Sequence, residues 1–419
     1  MNLLHQLKAR GLLSQISNDQ LFLTRSAGER FYFGIDPSSP HLSIGNYLSL
    51  LIPIHLARAG WKPVILFGGA TGAIGDPSDK SSARPLLTLE QINQNISNHQ
   101  KIISKIFQNL EITNYSFVNN YDWTAELTLL NFLRDIGKHF PVAYMIDKDF
   151  VARRLNSDGI SYMEFSYMLL QAYDFYHLFL TQNVILQVGG GDQWGNMTAG
   201  LELIRRKLGK EAIALSASLL LDNEGKKIGK SEQGTIFINP EATSPYKLHQ
   251  YLLNQPDKSA ITLLKQLTFL SLEEIEEISK EQSAEPSTRI AQKRLADEVC
   301  AIIHGVEAAR EARKAGEALF GGSTSDLPDD VLKDLFAEAP SAEFSAAEIA
   351  NMTTTDLVCK VGFAKSKTEA RKLIESGGFY INNERVADST LSIKPLSETT
   401  RKNFILRSGK KNYFLIGIK

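Results

Sequence analysis

Several stretches of the chain pair glycine with polar side chains at spacings that suit a polar or phosphorylated ligand. Residues 32–47 read YFGIDPSSPHLSIGNY. A strand-like run enters Gly34-Ile35-Asp36-Pro37, and a helix start is expected near Ser43-Ile44-Gly45-Asn46. A strand, a tight loop and a helix N-terminus together hold phosphate, because the first backbone N–H groups of a helix lack partners within it. This loop carries no lysine, so its affinity for an anion would come from backbone donors. Lysines lie elsewhere. In DNEGKKIGKSEQGT, 222–235, Lys226, Lys227 and Lys230 sit among glycines and precede Ser231. Such a loop can clamp a polyphosphate and neutralise charge building on a leaving group. Taken alone, a polar hairpin with solvated lysines explains it better.

Three further segments add recognition chemistry. GGATGAIGDPSDKSSAR, 68–84, offers Asp76 to an ammonium and Lys80 and Arg84 to phosphates, although a long surface loop accounts for it equally well. In EFSYMLLQAYDF, 164–175, Tyr167, Gln171 and Asp174 are spaced i, i+4, i+7 and share one helix face. A polar stripe amid Phe165, Met168, Leu169, Leu170 and Phe175 needs partners if buried. A small polar ligand would supply them, and water would do so on an exposed face. In GGGDQWGN, 189–196, the glycines allow close backbone approach, Asp192 can accept from ribose hydroxyls, and Gln193 can orient a carbonyl group.

The elements expected to position these residues alternate. Residues 30–36, 62–68 and 183–191 read as buried strands ending in glycine-rich loops. Helical patterns fill 44–59 and 88–108, the second opening on Thr88-x-x-Gln91, a capping-box signal. Alternation of this kind predicts a mainly parallel sheet, with ligands beyond the carboxyl ends of its strands. One site could therefore gather all three loops.

The 419 residues suggest two or three domains, and an apolar fraction of 43% supports substantial cores. A formal net charge of -1 gives no overall polyanion signature. The charge is uneven. Residues 320–350 hold one lysine and seven acids, 1 − 7 = −6, and residues 351–419 hold 13 basic and six acidic side chains, 13 − 6 = +7. A basic C-terminal module suits nucleic acid, although charge alone favours a solvated surface. Cys300 and Cys359 are far apart, with no zinc or disulfide spacing, which fits a reducing, cytoplasmic setting. The N-terminus reads as an amphipathic helix rather than a signal peptide, and no charge-free apolar run would span a bilayer.

Together, in this order, the segments resemble class I aminoacyl-tRNA synthetases. Lys227-Ile-Gly-Lys230-Ser231 is similar to that family's KMSKS signature in a KFGKS-like form, and Ser43-Ile-Gly-Asn46 falls where HIGH belongs. More narrowly, YFGIDPS, GGATGAIGDPS, SYMLLQAYDF and GGGDQWGN resemble bacterial tyrosyl-tRNA synthetases, and VGFAKSKTEARKLIESGGFYINNERV resembles their S4-type RNA-binding fold. The resemblance covers nearly the whole chain.

It implies an α/β fold with a Rossmann-like parallel-sheet catalytic domain over 1–221, including an insertion near 110–160 whose apolar stretch NFLRDIGKHFPVAYMI reads as core or as a dimer contact. It further implies the KMSKS-type loop and connection at 222–244 and an S4-like RNA-binding domain at 351–419, while sequence pattern reads 245–320 as an α-helical domain and 321–350 as an acidic linker carrying a short helix. The implied reaction is tyrosine activation by ATP, with accompanying Mg²⁺, followed by transfer to tRNA(Tyr); a homodimer is also implied. Composition, periodicity and spacing show none of these last points.

By position, the resemblance assigns Tyr32 and Asp174 to the tyrosine hydroxyl and Asp76, Tyr167 and Gln171 to its ammonium. Gln193 would orient the carboxylate and Asp192 the ribose. Gly34, Asp36, Ser38, Ser43, Gly45, Asn46, Gly191, Asp192, Lys227, Lys230 and Ser231 would face ATP. Lys80, Arg84, Lys227 and Lys230 would stabilise departing pyrophosphate. Lys365, Lys367, Arg371 and Lys372, on or beside one helix, would meet tRNA phosphates. No dedicated protein metal site is expected.

The departures are local. Both HIGH histidines are absent; Ser43 is shorter than histidine, whereas Asn46 keeps a donor. His41, two residues before Ser43, is expected to face solvent, and Phe33 stands where the family often has a small residue near the ribose. A synthetase-like RNA-binding protein without aminoacylation activity would explain the altered HIGH. The retained Tyr32, Asp76, Gln171 and Asp174 set argues against it, as it suits tyrosine. A Rossmann dehydrogenase is disfavoured, because no G-x-G-x-x-G opens a helix with an acidic ribose ligand after it.

Overall fold

The structure, a computed structural model of the chain, describes residues 2–78, 86–156, 159–218, 229–231, 234–319, 327, 329–336, 339–397, 402–409 and 412–419. Contacts divide the chain into two compact units. The first comprises Met1–Thr243, Gln255–Leu295 and Ile302–His304; the second comprises Ser244–Asn254, Ala296–Ala301 and Gly305–Lys419.

The first unit is built on a six-stranded sheet. Its strands are β1 (Leu13–Ile16), β2 (Arg30–Ile35), β3 (Lys62–Phe67), β4 (Ser116–Asn119), β5 (Val184–Gly190) and β6 (Ile213–Ala217). The order is β1-β6-β5-β2-β3-β4, parallel throughout except for the β1–β6 pair. The chain builds outward from β2 through β3 and β4, then returns to β2's other edge with β5 and continues to β6. The order therefore reverses between β2 and β5, and ligands of open α/β sheets bind at such a switch point.

Among the described residues, helices connect the strands of this sheet. Helix α1 (Ile44–Arg58) is buried over most of its length. Its start is fixed by a capping box in which the Ser43 hydroxyl accepts from the Asn46 backbone and the Asn46 carboxamide accepts from the Ser43 backbone. Helix α2 (Leu89–Asn109) starts on the Thr88–Gln91 capping box that the sequence predicts. Helix α3 (Tyr162–Gln182) starts on a Ser161–Glu164 box and stops at Asn183, whose φ of 54° is left-handed. Helix α4 (Trp194–Leu208) stops at Gly209, φ 62°.

The antiparallel pair β7 (Lys230–Ser231) and β8 (Gly234–Thr235) forms a two-stranded sheet of its own, and the second unit holds a five-stranded sheet. Its strands are β9 (Ser341–Phe344), β10 (Phe379–Ile381), β11 (Glu384–Arg385), β12 (Asn403–Ser408) and β13 (Asn412–Ile418), in the order β11-β10-β12-β13-β9. Helices α5 (Thr354–Lys360) and α6 (Lys367–Glu375) contribute Leu357, Val358, Ala370 and Ile374 to its core.

Two expectations need correction. The segment 321–350 holds a short helix, Asp329–Leu335, but also a strand that was not expected: β9 pairs in parallel with β13 through Ser341–Phe344. Four residues are too few to show strand alternation against an acidic background. The helices of 245–320 do not form one domain but are divided between the two units. Helix-face periodicity reports burial and not which core receives it.

Candidate active site

The carboxyl ends of β2, β3 and β5 open on a cavity of about 230 Å³. Tyr32, Gly34, Asp36, Ser38, Asn46, Asp76, Tyr167, Gln171, Asp174, Asp192 and Gln193 all line it. The cavity thus collects the loops after three strands and the polar stripe of α3. Ser43, Gly45 and Gly191 were expected at this site but do not line it.

A hydrogen-bonded network forms one side. The Tyr167 hydroxyl donates to Asp36 Oδ2 at 2.7 Å, and Thr71 Oγ1 donates to Asp36 Oδ1 at 2.7 Å. Asn120 Nδ2 donates to Thr71 Oγ1 at 3.0 Å and to Asp174 Oδ2 at 2.9 Å. Trp123 Nε1 donates to Asp174 Oδ1 at 2.8 Å. Asp36, assigned to ATP by the resemblance, is therefore bonded to the α3 tyrosine and to Thr71. Gly68 makes this possible, since a Cβ there would collide with the Asp36 carboxylate and the Thr71 hydroxyl.

Burial sets the protonation chemistry. Desolvation raises the Asp174 carboxyl to about 7, against the opposing donors Asn120 and Trp123. Burial also raises Asp76, countered by hydrogen bonds from Ser78 and Gln193. Ser78 donates to Asp76 Oδ1 through its backbone at 2.9 Å and its hydroxyl at 2.6 Å, and Gln193 Nε2 donates to Oδ2. The Tyr32 and Tyr167 hydroxyls are pushed well above the ordinary phenol range, first by burial, so both remain protonated donors. The Tyr32 hydroxyl and Gln171 Oε1 are buried and find no hydrogen-bond partner among the described residues. Both groups belong to the cavity wall, where a polar ligand would satisfy them.

The other side is made differently. Asn46 and Ser38 are exposed, and the Ser43 hydroxyl donates to Asn46 Oδ1 at 2.8 Å. The two HIGH replacements therefore bond to each other at the helix start. An antiparallel bridge joins Ser43 to Phe237, and the backbone N–H groups of Ile44 and Ile238 donate to Ile236 and Leu42. This tie links the segment after Ser231 directly to α1. Gly229, φ 112°, packs against Ile44 with no room for a Cβ. His41 is half-buried against Phe237, with ring centroids 5.7 Å apart, and so is not the solvent-facing residue expected. Phe33 is buried and lines the cavity.

Lys80, Arg84 and Lys227 lie outside the described residues. Of Lys230 and Ser231 only the backbone is described, as a two-residue strand. In the second unit Lys365, Lys367, Arg371 and Lys372 are all exposed. Lys367 is ion-paired with Asp356 at 2.8 Å.

Sequence reasoning missed Asn120, Trp123, Thr71 and Gln187. Asn120 and Trp123 belong to NNYDW, directly after β4, where the carboxyl-end rule should have directed attention. Gln187 was a lone polar residue within the apolar run VILQV; it is buried, and its Oε1 has no partner among the described residues.

The fold agrees with that of known proteins. Residues 26–321 match the family tRNA synthetases class I (W and Y), and residues 331–416 match the tyrosine--tRNA ligase SYY-like C-terminal domain. The chain belongs to the class I tRNA synthetases, within their tyrosine--tRNA ligase family. It is 42% identical to the tyrosine--tRNA ligase of Listeria welshimeri over 424 residues, all of both chains. It is 43% identical to that of Lactococcus lactis over 99% of this chain and 100% of that protein. A C-terminally truncated mitochondrial tyrosyl-tRNA synthetase of Aspergillus nidulans superposes with a TM-score of 0.68 at 27% identity, covering 76% of this chain and 94% of that one.

Proposed function

We propose that the cavity activates L-tyrosine with ATP and then passes the tyrosyl group to tRNA(Tyr). The single observation carrying this reading is the buried Tyr32 hydroxyl, without a partner among the described residues, in the same cavity as the Asp174 carboxyl. A phenol between them would accept from Tyr32 and donate to Asp174. Asp76, Tyr167 and Gln171 would receive the ammonium, and Gln193 would orient the carboxylate. Asp192 would accept from the ribose. Tyrosyl-tRNA synthetases are the standing example of sites that reject an analogue lacking the bonded hydroxyl.

The chemistry needs no general base. The tyrosine carboxylate is already a nucleophile; its oxygen bonds to the α-phosphorus of ATP as the bond to pyrophosphate breaks. Positioning and charge stabilisation lower the barrier. Ser38, Asn46 and the α1 N-terminus would face the phosphates, with Lys80, Arg84, Lys227 and Lys230 neutralising the departing pyrophosphate. Mg²⁺ would arrive with ATP as its counterion. The tRNA 3′ adenosine then displaces AMP from the tyrosyl carbonyl.

Two further parts belong to this reading. Lys365, Arg371 and Lys372 would contact tRNA phosphates, with Lys367 contributing less because of its ion pair. The exposed side chains Leu129, Leu130, Leu133, Val142 and Ile146 form an apolar set within the region expected to pair two subunits, which supports a homodimer. No helix among the described residues is long and apolar enough to cross a membrane. We assign the activity to the cytoplasm, where tRNA is charged.

Tyrosine-dependent ATP–pyrophosphate exchange, with phenylalanine and tryptophan as controls, tests the reading. Exchange with tyrosine alone is expected. Tyrosine binding without exchange would instead favour an RNA-binding protein that has lost catalysis.

A further inference from the structure

Helix α2 carries two polar residues on its otherwise apolar buried face. Asn95 and His99 are four apart and point the same way as Ile92, Ile96, Ile102, Ile103 and Ile106. They are 7% and 1% exposed. Neither is needed to form the helix, and burying either without a partner would cost stability. Both spend a donor on the loop between β2 and α1. Asn95 Nδ2 donates to the Pro37 carbonyl at 2.8 Å, and His99 Nε2 lies 2.8 Å from the Ser39 carbonyl.

A carbonyl can only accept, so His99 carries its proton on Nε2. Its Nδ1 is buried with no partner among the described residues. Burial pushes the imidazole down to about 4, with the Ser39 carbonyl acting to raise it and His41 to lower it, so the ring is neutral near neutral pH.

The anchored carbonyls flank Ser38. Asp36 and Ser38 line the cavity, whereas Pro37 and Ser39 do not. The loop is closed from its other end by the Ser38 backbone N–H, which donates to the Asp36 carbonyl at 2.9 Å. A carbonyl oxygen is the negative end of its dipole. Two of them turned toward a polyphosphate would repel it, and two held against α2 leave the hydroxyl between them as the group presented.

We infer that Asn95 and His99 are positioning residues for ATP: by holding the Pro37 and Ser39 carbonyls against α2, they present Ser38 to the phosphates. The inference rests on the reading of Ser38 given under Proposed function. It assigns part of the phosphate site's order to a helix outside the cavity wall. It also offers a reason why the site tolerates Ser43 and Asn46: the opposite side of the phosphate loop is fixed independently of them.

The test is tyrosine-dependent pyrophosphate exchange by the full chain, with tyrosine and ATP varied separately. His99→Leu is expected to raise the KM for ATP about five-fold, the scale of one net hydrogen bond, and to leave the KM for tyrosine unchanged. His99→Gln, which keeps a donor at similar reach, should restore the wild-type value. Asn95→Ala should act like His99→Leu and provides the second reading if His99→Leu does not fold. On a Ser38→Ala background, His99→Leu should have little further effect. Wild-type ATP kinetics in both His99→Leu and Asn95→Ala would overturn the inference. So would an equal rise in both KM values that His99→Gln does not rescue, which is the signature of packing alone. A full His99→Leu effect on the Ser38→Ala background would show that the residue does not act through Ser38. Absence of exchange in the wild-type protein would remove the Ser38 reading itself, a result distinct from wild-type activity that the variants leave intact.

Discussion

The two sides of the cavity are built on different principles. The side proposed for tyrosine is a continuous chain of side-chain hydrogen bonds from Tyr167 through Asp36, Thr71 and Asn120 to Asp174 and Trp123. Every member is held by another, and the Asp174 side rests on aromatic packing, with the buried pair Tyr32 and Phe175 at 5.4 Å and the half-buried pair Trp123 and His177 stacked at 4.5 Å. The phosphate side, as described, is largely backbone: a helix N-terminus, an anchored loop and a β-bridge. A side-chain network fails when one member changes, because the neighbours keep buried groups without partners. Backbone donors survive substitution of the side chains beside them. On the proposed reading, the contrast accounts for Ser43 and Asn46 at the HIGH positions beside the retained Tyr32, Asp76, Gln171 and Asp174.

The sharpest way to break this comparison is at its most buried charge. Asp174→Asn should lower kcat/KM for tyrosine in pyrophosphate exchange by about a hundredfold, because a buried charge-assisted bond is lost and the Asn120 and Trp123 donors face an amide. Asn120→Ala, one bond further out, should cost about tenfold in the same assay. If Asn120→Ala proved silent, the network would be decoration.

The next largest effect uses pH. A carboxyl at about 7 in the free cavity must lose its proton before a phenol can donate to it. Tyrosine affinity should therefore fall as pH drops, by about tenfold between pH 8 and pH 6. Calorimetric titration at the two pH values checks the sign; a rise in affinity on acidification would reverse the assignment of donor and acceptor.

A comparable effect, about tenfold, is expected in the second unit. Substituting Lys365, Arg371 and Lys372 together by alanine should weaken tRNA charging and flatten its salt dependence, while pyrophosphate exchange is unchanged. Lys367→Ala alone should do least, since Asp356 already neutralises it. The smallest effect should come from the phosphate side. Ser43→Ala removes a helix cap worth about 1 kcal/mol and should lower the melting temperature by a few degrees, with only a modest change in the KM for ATP.

Legibility in the sequence followed the same divide between pattern and partnership. The buried strands, the parallel sheet and the capping box at Thr88 carry local signals, and they were readable. The stripe of Tyr167, Gln171 and Asp174 was readable because helical spacing is fixed by geometry. Asn120 and Trp123 were not, because their role depends on a partner more than fifty residues away, and short polar runs after strands are ordinary. Asn95 and His99 interrupt the apolar face of an amphipathic helix, and their role depends on carbonyl partners in the distant loop between β2 and α1. Strands β1 and β9 have four residues each, too short for alternation to stand out. The half-burial of His41 follows from Phe237, which arrives from a distant segment.

On the proposed reading, the tyrosine side of the cavity is complete before ATP binds. Isothermal titration of tyrosine, and separately of phenylalanine, into the wild-type protein without ATP tests it most directly. Tyrosine should bind with a clear heat and phenylalanine should not bind measurably. Equal affinity for both, with discrimination emerging only once ATP is added, would contradict the claim and place the origin of specificity on the phosphate side.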